Sequence, residues 1–331
     1  MIVEFLKAGS GDCILIRHKE YNILVDGGND PSYLLLRIDK IYELGQKIDL
    51  LIITHHDDDH ISGILKLLAL VDEGNYGEHF IKKVIFNSPR LISGKLSLQT
   101  DNSLSYKQAS ETEKLLSKIQ PKWEKITEKS QKISFEELSI TFLSPAEDDL
   151  EKYSVSKGAF LSSDFRCDWK SPMSLLERFI DDASLDTSLP NKTSVVIQLD
   201  CEGKKVLLTG DTTPARFEVI LDNLIKDDPS GTVTFDYVKL PHHGSYRSLT
   251  KSVLSKINCQ NFIICTNSKK HFLPNKRAIL KVLMFLKRNE NPIEILFNYK
   301  EAIDSLEITE QEKKRFKFKL IPNNHSYGLS I

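Results

Sequence analysis

The chain has 331 residues, 40% hydrophobic and 27% charged, and 45 Lys and Arg oppose 46 Asp and Glu for a formal net charge of -1. These proportions are those of a globular protein and exclude a disordered, collagen-like or coiled-coil chain. The near-neutral balance leaves no general electrostatic footprint for nucleic acid, so only a local basic patch would supply one.

The first sixty residues alternate short apolar runs with glycine turns. Residues 2–6, 13–17 and 21–25 read as strands, bounded by Gly9-Ser10-Gly11-Asp12 and Asp26-Gly27-Gly28. Residues 32–44 carry helical spacing through Leu35, Ile38, Ile41 and Tyr42. Residues 48–54 form a nearly continuous apolar run, as a strand buried on both faces requires. Residues 61–71 are helical again, and the alternation predicts an α/β layered architecture.

Residues 88–188 are less regular, with a helix over 106–119, a strand pair near 133–143 and a Ser-, Asp- and Lys-rich stretch over 145–188. That stretch reads either as a lid or as an ordered insertion. Strands at 194–199 and 205–209 follow, then a helix over 214–225 and strands at 235–240 and 262–265. A helix over 275–287 and strands at 293–297 and 316–321 complete the pattern. A single domain over 1–331, with 88–188 as an insertion within it, is expected.

The five cysteines (Cys13, Cys167, Cys201, Cys259 and Cys265) are scattered and lack CxxC spacing, which excludes a disulfide framework or zinc finger. The start resembles a strand rather than a signal peptide, and no run approaches the eighteen apolar residues of a membrane span. A reduced, cytoplasmic protein without a membrane partner is expected.

The nine histidines are unevenly placed: His55, His56 and His60 fall within six residues, and His242 and His243 are adjacent. Thr54-His55-His56-Asp57-Asp58-Asp59-His60 follows a buried strand and precedes a helix. It therefore lies at the carboxyl end of a sheet strand, where open α/β sheets place their ligands. His55 and Asp57 project to one side of an extended segment, while Asp59 and His60 turn toward a second point close by. Asp58 or Asp59 alone would be explained as a helix cap. Four metal-competent side chains in six residues point instead to two cations. Leu208-Thr209-Gly210-Asp211 delivers a carboxylate past a glycine, by itself a turn signal. Lys239-Leu240-Pro241-His242-His243 ends another strand in two imidazoles, seldom needed for packing.

Together, Gly11-Asp12, Leu24-Val25-Asp26-Gly27-Gly28, the 55–60 motif, Asn191-x-x-Ser194-Val195, Leu208-Thr209-Gly210-Asp211 and His242-His243-Gly244-Ser245 resemble the metallo-β-lactamase fold hydrolases. Within them the set is similar to the soluble domain of the ComEC-like DNA-uptake proteins; residues 88–188 match nothing in it. The resemblance implies a four-layer αββα sandwich with an inserted segment and two divalent metal ions at one edge. It implies His55 and Asp57 on the first ion, Asp59 and His60 on the second, and Asp211 bridging both. The last ligand would be His243, with His242 beside it or facing the substrate, and Asp26 would orient a ligand.

Two departures shift the metal preference. Asp57 stands where the commoner motif has His, and Asn191 or Ser194 stands where a third His ligand is usual. An oxygen-rich first site shifts preference from zinc towards manganese or magnesium. The expected activity is phosphodiester cleavage, as a nuclease on DNA, through a bridging hydroxide. Asp59 or Asp211 would orient it, with His242 as the third catalytic group. Lys239, Ser245, Tyr246, Arg247 and Ser248 would contact phosphate. His271 would also face substrate, within His271-Phe272-Leu273-Pro274, a looser form of the family's His-Pro pair. Lys269-Lys270, Lys276-Arg277 and Lys287-Arg288 would line one side, with Arg277 and Lys281 on one helix face. Hydrolysis of a small ester, lactone or phosphorylated metabolite, and a catalytically silent metal-binding interaction module, are the alternatives.

Overall fold

Alternation along a strand divides its side chains between two faces. The computed structural model describes residues 1–88, 91–92, 104–155, 167–181, 184–226, 230–287 and 291–331. In it Ile23, Val25, Leu50 and Ile52 enter a core shared by two sheets. Leu24, Leu51 and Ile53 point the opposite way, beneath helices.

Among the described residues the first sheet joins β1 (Ile2–Leu6), β2 (Ile14–His18), β3 (Tyr21–Val25), β4 (Leu50–Ile53), β5 (Lys83–Phe86) and β6 (Lys122–Glu124) in that order. The second contains β7 (Ile133–Phe135), β8 (Leu138–Ser144), β9 (Val196–Cys201) and β10 (Lys204–Leu208). Short β11 (Val233–Thr234) and β13 (Ile257–Asn258) pair with each other, flanking β12 (Tyr237–Lys239) in sequence. The second sheet continues from β10 through β12, β14 (Asn261–Ile264), β15 (Ile293–Phe297) and β16 (Phe318–Ile321). β17 (Gly328–Ser330) returns to the first sheet, antiparallel to β1.

Helices α1 (Ser32–Glu43) and α2 (Asp58–Asp72), with α3 (Leu104–Ile119), cover the first sheet. They bury Leu34, Ile38, Ile41, Ile64 and Leu68, the spacing of one helical face. Helices α4 (Pro214–Ile225) and α5 (Lys276–Phe285) cover the second sheet through Phe217, Leu221, Ile279 and Val282. Helix, sheet, sheet and helix make the expected four-layer sandwich. Each inward residue is costly to truncate: Ile52→Ala would lose roughly 2–5 kcal/mol.

Residues 88–188 also contribute strands to this frame. β6 extends the first sheet, and β7 and β8 extend the second. Leu138, Ile140 and Phe142 alternate into the shared core, so β8 cannot be set apart from it. The lid reading of 145–188 falls partly on residues 156–166 and 182–183, which lie outside the described residues, as does Arg288. β5, β6 and β17 are too short to carry a sequence period. All five cysteines are free. Among the described residues no helix is long and apolar enough to cross a membrane.

β3 to β6 run parallel, and so do β10, β12, β14, β15 and β16. The 55–60 turn leaves the carboxyl end of β4, Asp211 follows β10, and the His242-His243 turn follows β12. Val195 N donates to Thr54 O at 3.0 Å and Asn298 Nδ2 to Leu6 O at 2.8 Å, tying the sheets at this edge.

Candidate metal centre

The helix after β4 begins at Asp58, three residues before the expected Ile61. Asp57 is its N-cap but makes no side-chain capping bond, so the cap does not engage its carboxylate. Asp58 and Asp59 lie in the first turn, near the positive helix end. Gly27 N donates to His60 O and Gly63 N to Gly28 O, both at 2.8 Å. A Cβ on Gly27 would lie 2.5 Å from Ile64 N, so only glycine admits this approach.

That contact places His60 on Asp26. The fully buried Asp26 carboxylate accepts from Thr54 N at 2.8 Å and Thr54 Oγ1 at 2.6 Å, and lies 2.8 Å from His60 Nδ1. A carboxylate accepts, so Nδ1 carries the proton and Nε2 turns inward. His243 is oriented likewise, its Nδ1 3.0 Å from the carbonyl of Cys265. The two Nε2 atoms then face each other at 3.3 Å. Two neutral rings cannot satisfy that contact; a proton or a cation must lie between them.

Asp211 completes the group. Its N donates to Ser194 Oγ at 3.2 Å. Oδ1 lies 3.4 Å from His60 Nε2, and Oδ2 lies 3.4 Å from His243 Nε2 and 3.9 Å from His242 Nε2. Asp59 Oδ2 is 3.3 Å from His243 Nε2. Burial works to raise Asp59 and Asp211, but the imidazoles of His243 and His60 outweigh it and hold both carboxyls well below their usual range. Burial likewise opposes charge on His60 and His243, yet Asp211, with Asp26 beside the first ring and Asp12 beside the second, holds both well above the usual range.

His55 forms a second group with Asp57, Nε2 to Oδ2 at 3.7 Å, and its ring centroid lies 4.1 Å from that of His60. Its Nδ1 meets Thr54 Oγ1 at 3.0 Å and Ser194 Oγ at 3.5 Å. Burial and the neighbouring His60 pull it down to about 4; Thr54 Oγ1 gives its own proton to Asp26 and so accepts from Nδ1, which leaves the lone pair at Nε2. Burial raises Asp57.

His242 and His243 both adopt positive φ, 48° and 53°. Such backbone costs free energy in residues other than glycine. Here it turns two consecutive rings to the same carboxylate. The ring of His242 is held at Nδ1, 3.1 Å from Asp186 Oδ2, and Asp186 in turn accepts from Asn191 Nδ2 at 2.7 Å. Asn191 Nδ2 also lies 3.3 Å from His242 Nδ1, so it stands against the ring together with Asp186, which sequence reasoning missed. A lone acid in a Ser- and Asp-rich stretch gives no signal.

Asp12 was also missed as a site residue. One of its oxygens lies within 4.8 Å of donor atoms of His60, Asp211 and His243. His271 is exposed at the mouth, within electrostatic reach of Asp59 and His242. Exposed Lys270 lies 3.4 Å from Asp58.

Other expected substrate contacts are not at the mouth. Lys239 is fully buried, and Tyr246 and Ser248 are buried as well. Ser245 Oγ caps the following turn by accepting from Arg247 N. Lys281 Nζ donates to Tyr246 O and Leu249 O, both at 2.8 Å, and the Arg277 guanidinium lies over the Tyr246 ring. These helix cations face the interior because Tyr246 and the carbonyls around it satisfy them; they do not form a DNA-facing row.

The residues fit divalent cations. Buried atoms without a hydrogen bond include His55 Nε2, Asp12 Oδ1 and Asp211 Oδ1, in both donor groups. Such orphans mark a missing partner. With His60 and His243 neutral, as ligands are, Asp12, Asp26, Asp57, Asp59 and Asp211 outnumber the one ammonium of Lys239 by four negative charges, which two divalent cations neutralise.

The model of the metallo-beta-lactamase superfamily matches residues 6–268. No curated protein matches the sequence. Among solved structures, the metallo-beta-lactamase fold protein YhfI from Bacillus subtilis shares 12% identity at a TM-score of 0.43, over 100% of this chain and 98% of its own. Zn(2+)-bound PqqB from Methylobacterium extorquens shares 12% at 0.43, over 100% and 99%. With the family model spanning most of its length, the chain belongs to the metallo-beta-lactamase superfamily.

Proposed function

We propose that this chain is a two-ion metallohydrolase of phosphodiester bonds, with DNA as its substrate class, in the ComEC-like branch of the superfamily. One observation carries the reading: unpartnered buried donors occur in both groups, His55 Nε2 beside Asp57 and Asp211 Oδ1 beside Asp59, His60 and His243. The order His55-x-Asp57-x-Asp59-His60 supports the branch. The oxygen-rich donor set favours hard cations such as Mn²⁺.

His55 and Asp57 would hold one ion, Asp59, His60 and His243 the other, with Asp211 between them and Asp12 within reach of the second group. When bound, the ions supply Lewis-acid polarisation of phosphate oxygens and activation of water. Asp26 and the Cys265 carbonyl keep His60 and His243 in the tautomer that presents Nε2. Asp59, partly exposed, orients water at the mouth, and His242 faces the substrate with Asp186 behind it. Lys269, Lys270 and a neutral His271 form an exposed rim that would meet an anionic strand.

The test incubates the protein with Mn²⁺ or Zn²⁺ against plasmid, single-stranded DNA, RNA and bis-p-nitrophenyl phosphate. The reading expects metal-dependent cleavage of DNA, lost in an Asp59→Ala/His60→Ala double variant. Equal activity in the variant, or turnover of small esters alone, rejects it.

A further inference from the structure

Lys239 ends β12 with its side chain wholly buried. Its Nζ donates to Gly210 O at 3.0 Å, pairs closely with Asp12 Oδ2 and lies 3.8 Å from Asp211 Oδ1. The other Asp12 oxygen is 3.4 Å from His243 Nδ1 and makes no hydrogen bond. Asp12 is therefore near enough to the His60, Asp211 and His243 donors to join them. The ammonium engages one of its oxygens.

A buried ion pair is seldom the most stable filling for such a place, since an apolar side chain of similar volume avoids the desolvation cost. A tie between the sheets needs no charge. The ammonium is held in place by the Asp12 carboxylate and the Gly210 carbonyl, with Asp211 next to it. A fixed positive charge at this distance offsets part of the negative charge that would attract a cation, and it does so at the one carboxylate shared by both donor groups.

We infer that Lys239 is an internal counter-ion that competes with the metal ions for Asp12 and Asp211, holding metal affinity below what the ligands alone would give. This rests on the two-ion reading above. Lys239 is a positioning residue, acting through the two carboxylates.

The test loads wild type and variants with Mn²⁺ and measures affinity by competition with a chelator, alongside melting temperature. Lys239→Met is expected to bind Mn²⁺ at least tenfold more tightly than wild type, and Lys239→Arg to match wild type. Asp12→Asn, which leaves the ammonium facing Asp211 alone, is expected to bind at least tenfold more weakly. Adding Lys239→Met to Asp12→Asn is expected to restore binding. That recovery carries the test even where Lys239→Met alone does not fold, because a structural tie predicts no recovery. Weaker or unchanged binding in folded Lys239→Met, or no recovery in the double variant, overturns the inference while leaving the two-ion reading intact. Failure of wild type to bind Mn²⁺ or Zn²⁺ overturns both.

Discussion

Nε2 of His60 lies 3.3 Å from Nε2 of His243, although 183 residues separate them in the chain. Each ring is turned to that position from behind, one by Asp26 and the other by the Cys265 carbonyl. Asp26→Asn keeps the shape but can offer its amide NH₂ to Nδ1, favouring the wrong tautomer. Metal affinity should fall roughly 10- to 100-fold, the usual cost of losing such support. Chelator competition measures it; unchanged affinity would mean that Asp26 does not set the ring.

Gly63→Ala tests the backbone contact that carries His60 to Asp26. In an open helix the change would gain about 1 kcal/mol. Here the new methyl meets the Gly27 carbonyl. A loss of roughly 1–3 kcal/mol is expected from overpacking, read as a lower midpoint in urea unfolding. A gain would show that the two segments part easily.

Asp186→Asn should leave metal content unchanged, because Asp186 touches His242 rather than the donor groups. With the ring less firmly held, kcat on bis-p-nitrophenyl phosphate should fall roughly 10- to 100-fold, as misplacement of a reacting group costs. Loss of bound metal in this variant would instead make His242 a ligand.

Lys281→Ala should destabilise the fold by roughly 1–3 kcal/mol, since it removes a buried donor from the carbonyls of Tyr246 and Leu249. DNA binding by the folded variant should not change. A weakened DNA complex without loss of stability would return Lys281 to the substrate face.

Much of the frame was legible because apolar runs and glycine turns report burial locally. The 55–60 motif, Asp211 and the histidine pair stood out because several metal-competent side chains cluster at strand ends. What stayed hidden depends on distant partners. Lys239 and Lys281 read as surface cations until Asp12 and the Tyr246 and Leu249 carbonyls are seen to enclose them. Asp12 and Asp186 are single acids in turns, and nothing local says which ring or ammonium each meets. β17 is three residues long and exists because β1 offers it an edge.

Anomalous diffraction from crystals grown with Mn²⁺ addresses the centre most directly. Two ions are predicted beside the Asp211 carboxylate, one reached by His55 and Asp57, the other by Asp59, His60 and His243. A single ion held by His60 and His243, with the His55 side empty at saturating Mn²⁺, would contradict the account.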